Sequence, residues 1–180
     1  MVAVDFTNRR WHVSKVRPGL ISQRIPCGCF NGFRAQDADF IYAGKHWVLA
    51  LNASQFFLGR SLLLLREHTT DLFWVPSVAM DEFHDIYCVW RSALERAFHK
   101  NFRSNVALLG NETDVHGGHL HWHFVPRYLE PISFRGKEYF TETPETARQN
   151  YSQIAERLIT PPLERRRIAQ ELQRYFSASY

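Results

Sequence analysis

The sequence is poor in the residues that mark special structural classes. It has three cysteines, nine glycines and eight prolines among 180 residues, which excludes a collagen-like or low-complexity chain. The cysteines, Cys27, Cys29 and Cys88, are odd in number, and a disulfide between the first two would be strained because only one residue separates them. A disulfide framework is therefore not expected, and a reducing compartment fits best.

Long apolar runs are also missing. No segment approaches the roughly 18 to 20 apolar residues that a membrane-spanning helix requires. Near the start, Asp5, Arg9 and Arg10 interrupt the stretch in which a signal peptide would need its apolar core. We therefore expect a cytoplasmic protein without a membrane partner.

A strong excess of charge is absent as well. Lysine and arginine number 22 against 18 acidic residues, a formal net charge of +4. This balance suits anionic ligands, but the chain lacks the dense basic stripe with interleaved aromatics that is typical of nucleic-acid binding. What the chain does have is 45% apolar and 14% aromatic residues, the composition of a folded domain with a real core.

The patterns divide the chain into three parts. Residues 1–37 are broken by proline and glycine and predict an N-terminal arm with little regular structure. Residues 38–130 carry the regular patterns of a core. Residues 131–180 predict a helical extension packed on that core, with one helix beginning near Thr143 and Pro144 and a last helix from about Pro162 to Phe176.

Within the core, alternating and helical periodicities predict an antiparallel sheet against helices, an α+β fold. The helix covers the residues from Pro76 to Phe98, with Pro76 as its first helical residue. Beyond the last predicted strand, the chain is predicted to be irregular from Arg127 to Thr143. The predicted strands are residues 39–42, 46–51, 61–66, 105–109 and 119–125.

The most informative segment is residues 119–125, His-Leu-His-Trp-His-Phe-Val. Alternate residues of a strand share a face, so His119, His121 and His123 are expected to project together while the apolar residues between them face the core. A lone histidine on a strand is usually an ordinary surface or hydrogen-bonded residue. Three in strict alternation favour a functional surface.

Metal binding is one interpretation of this surface, because histidine is the commonest zinc ligand. Same-face neighbours on a strand lie about 6.5 to 7 Å apart, whereas Zn–N bonds are only about 2.0 to 2.1 Å long. One ion therefore takes two of these rings at most and needs distant ligands, for which Cys27, Cys29 and His68 are available. We predict no metal site, although whether these three residues hold zinc stays open.

Phosphate chemistry is the other interpretation. A neutral imidazole attacks phosphorus and divides one difficult displacement into two easier ones. A close-set row of imidazoles titrates as a coupled system, so one ring serves as nucleophile while another is a cationic donor. Imidazolium and backbone N–H groups then meet the phosphoryl charge, and we predict no cofactor.

Residues 119–125 resemble the His-φ-His-φ-His-φ-φ signature of the histidine triad (HIT) family of nucleotide hydrolases and transferases. Residues 58–68, Leu-Gly-Arg-Ser-Leu-Leu-Leu-Leu-Arg-Glu-His, are similar to a second stretch of that family, and the resemblance covers roughly residues 38–128. Three departures stand out. Arg60 replaces a typical histidine, the Gly-Gln-Ser/Thr before the triad is absent, and Cys27-Gly28-Cys29 is one residue shorter than the Cys-x-x-Cys of zinc-containing relatives.

The resemblance implies a HIT-like fold, with a five-stranded antiparallel sheet, a long helix and additional C-terminal helices, assembled as a homodimer. It also implies a purine nucleotide or dinucleoside polyphosphate as ligand. By the same resemblance, His121 is the nucleophile, His119 orients it and His123 lies near the phosphate or leaving group. The nucleotide-binding residues expected are Asn52 at the ribose, Arg60 at the polyphosphate, Asn111 in the phosphate region and His116 reaching in from its loop.

These expectations define a nucleotidyl hydrolase or transferase, of the bacterial diadenosine polyphosphate hydrolase type. Its substrates would be adenosine nucleotide phosphoanhydrides such as diadenosine tetraphosphate, cleaved through a covalent nucleotidyl-histidine intermediate. The alternative is a non-catalytic nucleotide- or zinc-binding protein of the same fold. Deadenylation of nucleic-acid ends is a weaker third hypothesis, because neither a zinc-finger pattern nor a dense basic groove accompanies the histidines.

Overall fold

The chain folds around one five-stranded antiparallel sheet. The structure, a computed structural model, describes residues 37–108, 119–142 and 158–176. The strands run in the order β1-β2-β3-β5-β4, which confirms the α+β class and the five-stranded antiparallel sheet. They are β1 (Phe40–Ala43), β2 (Trp47–Leu51), β3 (Ser61–Leu65), β4 (Phe102–Leu108) and β5 (His121–Tyr128).

Two helices and a small hairpin complete the described fold. Helix α1 (Ser77–Phe98) connects β3 to β4, and helix α2 (Pro162–Phe176) lies near the end of the chain. The hairpin pairs β6 (Ile132–Phe134) with β7 (Lys137–Tyr139). Neither helix in the described ranges is both long and apolar enough to cross a membrane.

The strands β2 and β3 form the apolar centre of the sheet. All five residues of β2 are buried, and so are four of the five in β3. A strand covered on both faces reads as a continuous apolar run instead of an alternating one. This explains why the leucine run of residues 61–66 is a strand, as predicted.

Helix α1 covers one face of the sheet with an apolar stripe. The stripe is centred on Ile86, Trp90 and Leu94, all fully buried. The sequence predicted a start at Pro76, but the helix begins at Ser77. Pro76 has a ψ of 149° and therefore occupies the extended N-cap position. The helix ends at Phe98. The C-cap residue His99 has a left-handed φ of 53° and donates its N–H to the carbonyl of Glu95.

The strands that flank the histidines are longer than predicted. Strand β4 begins at Phe102 instead of Asn105. Strand β5 begins at His121, two residues later than predicted, and continues to Tyr128 through Pro126, so His119 and Leu120 precede it. Strand β3 pairs with β5 only through Ser61↔Phe124 to Leu64↔His121. Pro126 therefore lies where β5 pairs with β4 alone, a position at which a missing N–H costs no hydrogen bond to β3.

The prediction of irregular structure after Arg127 was wrong over residues 132–139. The turn of the β6–β7 hairpin has two consecutive residues with positive φ, Arg135 at 52° and Gly136 at 80°, which is typical of a two-residue hairpin turn. The predicted helix start at Thr143 and Pro144 lies outside the described residues, as does the arm of residues 1–36. The division into three parts stays a prediction.

Candidate active site

The histidines of β5 lie on the face of the sheet opposite α1. Residues paired across antiparallel strands share a face, and His121 pairs with Leu64 while His123 pairs with Leu62. On the other face, Trp122 and Phe124 contact helix α1, with ring centroids 4.9 Å from Phe83 and 5.1 Å from Trp90 respectively. For His121 and His123 this is the arrangement that the alternating sequence predicts, whereas His119 lies just before the strand.

The ring of His121 is fixed at both nitrogens. Its Nδ1 lies 2.7 Å from the carbonyl oxygen of His119, and because a carbonyl only accepts, Nδ1 carries the proton. In the neutral ring the lone pair therefore lies on Nε2. The Nε2 of His123 is 3.1 Å from this atom and, when His121 is neutral, donates a hydrogen bond to it.

His123 is a neutral donor at physiological pH. The residue is only 6% exposed, and its pKa is lowered to about 4, first by burial and then by the charges of His121 and Arg60. Its other ring nitrogen, Nδ1, is buried and has no hydrogen-bond partner among the described residues. The neutral form is thus compatible with donation from Nε2 to His121.

His119 forms hydrogen bonds through its main-chain carbonyl and through its ring. Its carbonyl accepts from His121, whereas its ring Nε2 lies 2.5 Å from the carbonyl oxygen of Leu65. Its Nδ1 is 3.2 Å from Nδ1 of His68. His68, which the sequence offered as a distant metal ligand, thus pairs with His119 just before β5.

Arg60 and Asn52 lie at the two ends of the loop that joins β2 to β3. Arg60 is 6% exposed and close enough for its charge to lower the pKa of His123. Asn52 is half-buried, and its Oδ1 accepts from the backbone N–H of Ser54 at 2.9 Å. The structure therefore brings Arg60 near His123, and Asn52 lies beside Arg60, donating its backbone N–H to the carbonyl of Arg60 at 2.9 Å.

Two of the expected site residues lie outside the described part of the chain, Asn111 and His116. Cys27 and Cys29 lie outside it as well. Within the described ranges, no group of three or more histidine, cysteine or acidic residues is placed to hold a metal ion. The expectation of no metal therefore stays a prediction.

Gln55 is a buried polar residue beside the site that the sequence analysis missed. It is 2% exposed, and its side chain bonds the backbone of Asn52, Gly59 and Arg60. A glutamine in a loop carries no pattern that distinguishes it from a solvent-exposed one. Only the turn of the chain around it reveals its partners.

The site combines one aimed lone pair with several groups that favour an anion. In its neutral form the His121 ring has a lone pair on Nε2, the Nε2 of His123 lies 3.1 Å from it, and Arg60 supplies a permanent positive charge near His123. Such a set can attack phosphorus and stabilise the charge on its oxygens. The arrangement is suited to transfer of a phosphoryl or nucleotidyl group.

Comparisons with known proteins identify the fold. No protein-family model matches the chain, and no curated protein sequence matches it significantly. Among solved structures, a uridylyltransferase matches with a TM-score of 0.55 at 10% identity, over 81% of this chain and 43% of its own. A hypothetical histidine triad nucleotide-binding protein from Sulfolobus tokodaii matches with a TM-score of 0.51 at 13% identity, over 77% and 83% of the two chains.

A Hit-like protein involved in cell-cycle regulation from Bartonella henselae, with an unknown ligand, matches with a TM-score of 0.50 at 15% identity, over 76% of this chain and 85% of its own. At identities this low, the matches establish a common architecture. The chain has the fold of the histidine triad proteins.

Proposed function

We propose that the chain is a nucleotidyl hydrolase or transferase that acts on adenosine nucleotide phosphoanhydrides, with dinucleoside polyphosphates as the leading substrates. One observation carries the proposal. The carbonyl of His119 holds the proton of His121 on Nδ1, at 2.7 Å, so that Nε2 presents its lone pair. A nitrogen prepared in this way is an activated nucleophile.

In the first step, Nε2 of His121 forms a bond to the α-phosphorus, and the bond from that phosphorus to the bridging oxygen breaks. The leaving polyphosphate departs with the electron pair of that bond. In the second step, water attacks the same phosphorus, the P–N bond breaks and the mononucleotide is released. His121 recovers its lone pair, and the water proton passes to solvent or to a site base.

His123 and Arg60 would assist both steps. In the free protein, Nε2–H of His123 points at the nucleophilic nitrogen, and on binding it would meet a phosphoryl or leaving-group oxygen. Arg60 places a charge beside this ring and would attract the polyphosphate. Asn52 at the ribose, and Asn111 and His116 near the phosphates, complete the proposed nucleotide contacts.

The names of the structural neighbours support a nucleotide as ligand. The Sulfolobus tokodaii protein is described as nucleotide-binding, and another neighbour as a uridylyltransferase. Both descriptions fit a row of histidines that meets a phosphorus centre. The cytoplasmic location, the homodimer and the lack of metal belong to this proposal as well.

The test is incubation with diadenosine tetraphosphate in EDTA, with AMP as the expected product. His121→Ala should lower the rate at least about a thousandfold, because the covalent step is lost. The matched control is His84→Ala, which changes an exposed histidine on α1 and should leave the rate unchanged. Mass spectrometry of the quenched reaction should detect one acid-labile nucleotidyl group on the parent chain and none on His121→Ala.

Persistent activity in His121→Ala would reject the nucleophile assignment. AMP binding without turnover by the parent chain would favour the non-catalytic alternative. Removal of adenylate from nucleic-acid ends, with no cleavage of the dinucleotide, would favour the third hypothesis. One zinc per chain that is lost on mutating Cys27 and Cys29 would contradict the prediction of no metal.

A further inference from the structure

The segment before helix α2 is hydrogen-bonded to the loop between β2 and β3. Thr160 is buried, 6% exposed, and its Oγ1 accepts from the backbone N–H of Gln55 at 2.9 Å. Its own N–H is donated to the carbonyl of Ala53 at 3.0 Å. Two hydrogen bonds in opposite directions therefore join residues more than 100 positions apart in the sequence.

Inside the loop, the side chain of Gln55 connects the two ends. Its Nε2 donates to the carbonyls of Asn52 and Arg60, both at 2.8 Å. Its Oε1 accepts from the N–H of Gly59 at 2.8 Å. Both donors and the acceptor of one buried amide are thus used on the backbone of a single loop, which fixes its shape.

We propose that Gln55 and Thr160 are positioning residues of the nucleotide site: Thr160 holds Gln55, and Gln55 sets the backbone from which Asn52 and Arg60 project. The role assigned to the loop rests on the proposed function. The hydrogen bonds that hold the loop do not.

Thr160 is itself anchored from the far side. Arg165, in the first turn of α2, donates from Nη1 to the carbonyl of Thr160 and forms an ion pair with Asp39 just before β1. Asp39 in turn accepts the N–H of Leu51 through its backbone carbonyl. Arg165 of helix α2 thereby holds the carbonyl of Thr160, and Asp39 holds the guanidinium of Arg165.

The pKa of His123 offers a measure of the position of Arg60 that does not depend on any reaction. The charged groups that act on His123 are His121 and Arg60, and both lower its pKa in addition to burial. A shift of Arg60 away from His123 would weaken that repulsion, so the pKa of His123 would rise. The ring of His123 therefore reports whether the loop is in place.

The experiment compares Thr160→Val, which removes the acceptor at nearly constant shape, with Thr160→Ser, which keeps it. The pKa of His123 is measured in the free protein by NMR, and the affinity for AMP by calorimetry. Thr160→Val should raise the pKa of His123 and weaken AMP binding about threefold to tenfold. Thr160→Ser should keep both values close to those of the parent chain.

The control is Glu164→Gln, which weakens the contacts of Lys137 and Tyr139 with the same helix and touches no residue of the loop. It should lower the melting temperature without moving the pKa of His123. If Thr160→Val does not fold, Gln55→Met tests the same connection from the loop side.

An unchanged pKa in folded Thr160→Val, or an equal shift in Glu164→Gln, would overturn the positioning role. If Thr160→Val moves the pKa but the parent chain does not bind AMP, Thr160 still positions the loop and the proposed nucleotide function is rejected instead. The two failures are therefore distinguishable.

Discussion

At the scale of single residues, His123 sets the pH range over which the site keeps its arrangement. Its pKa in the folded chain is about 4, against an ordinary value of 6.5. Between these two values the unfolded chain binds more protons, so stability falls as the pH is lowered through this window and is full above about pH 6.5. The burial of the neutral ring is therefore a source of acid sensitivity.

Lowering the pH from 7 to 4 should reduce the free energy of unfolding of both chains. We predict that the reduction is about 2 kcal/mol smaller in His123→Gln than in the parent chain. The variant has no imidazole at this position and so takes up no proton there. Urea unfolding at a series of pH values measures the difference. Parallel curves for the two chains would contradict the prediction.

Much of the site at this scale could be predicted, and the missing part has a physical cause. The alternation of the segment predicts that His121 and His123 share a face, because a strand repeats every two residues, and the strand register agrees. His119 was predicted on the same strand but precedes β5. The proton position on His121 depends on a 2.7 Å contact with a main-chain oxygen, which no side-chain pattern encodes. Gln55 was missed for the same reason, since all its side-chain partners are backbone atoms.

At the scale of elements, the turn that leads into β3 depends on Gly59. Its φ is +82°, and a Cβ added there would lie 2.3 Å from Cδ2 of Leu94 on helix α1. Leu94 is fully buried, so its methyl group has little room to move. Close approach of the loop to the helix therefore requires glycine.

Gly136 offers a matched comparison, because its φ is +80° but nothing lies within 4 Å of an added Cβ. We predict that Gly136→Ala lowers the free energy of unfolding by about 1 kcal/mol, from backbone strain alone. Gly59→Ala should lower it by about 2 to 4 kcal/mol, because overpacking adds to the strain. Equal losses in the two variants, measured by denaturant unfolding, would show that the contact with Leu94 has no energetic weight.

Whether an element could be predicted depends on how many residues its sequence pattern covers. Helix α1 has a helical periodicity and strands β2 and β3 are continuous apolar runs, and the sequence located these elements and β1 within one or two positions. Strands β6 and β7 have three residues each, too short for a period to appear. Their hairpin depends on two left-handed residues, of which only the glycine hints at a turn.

At the scale of the whole molecule, β4 is a long strand at the edge of the sheet. It has seven residues, and Val106 on it is 37% exposed. Edge strands of this kind pair readily with another chain unless they are protected. The homodimer expected from the resemblance would find a suitable surface here.

We therefore predict a sedimentation mass of twice 21.2 kDa. Val106→Lys should shift the distribution towards monomer, because a charge on the edge opposes strand pairing. Sedimentation equilibrium at several protein concentrations measures both. A parent chain that stays monomeric would contradict the dimer, and a dimer insensitive to Val106→Lys would place its interface on another surface.

The partner of Nδ1 on the His121 ring is the main-chain carbonyl of His119 and not a side chain. Every amino acid at position 119 would offer the same oxygen, so mutation of that residue alone does not delete the acceptor. What would remove it is an inserted or deleted residue just upstream of His121, since that would turn the imidazole away from its acceptor. The position of the proton on the His121 ring is therefore set by the path of the main chain.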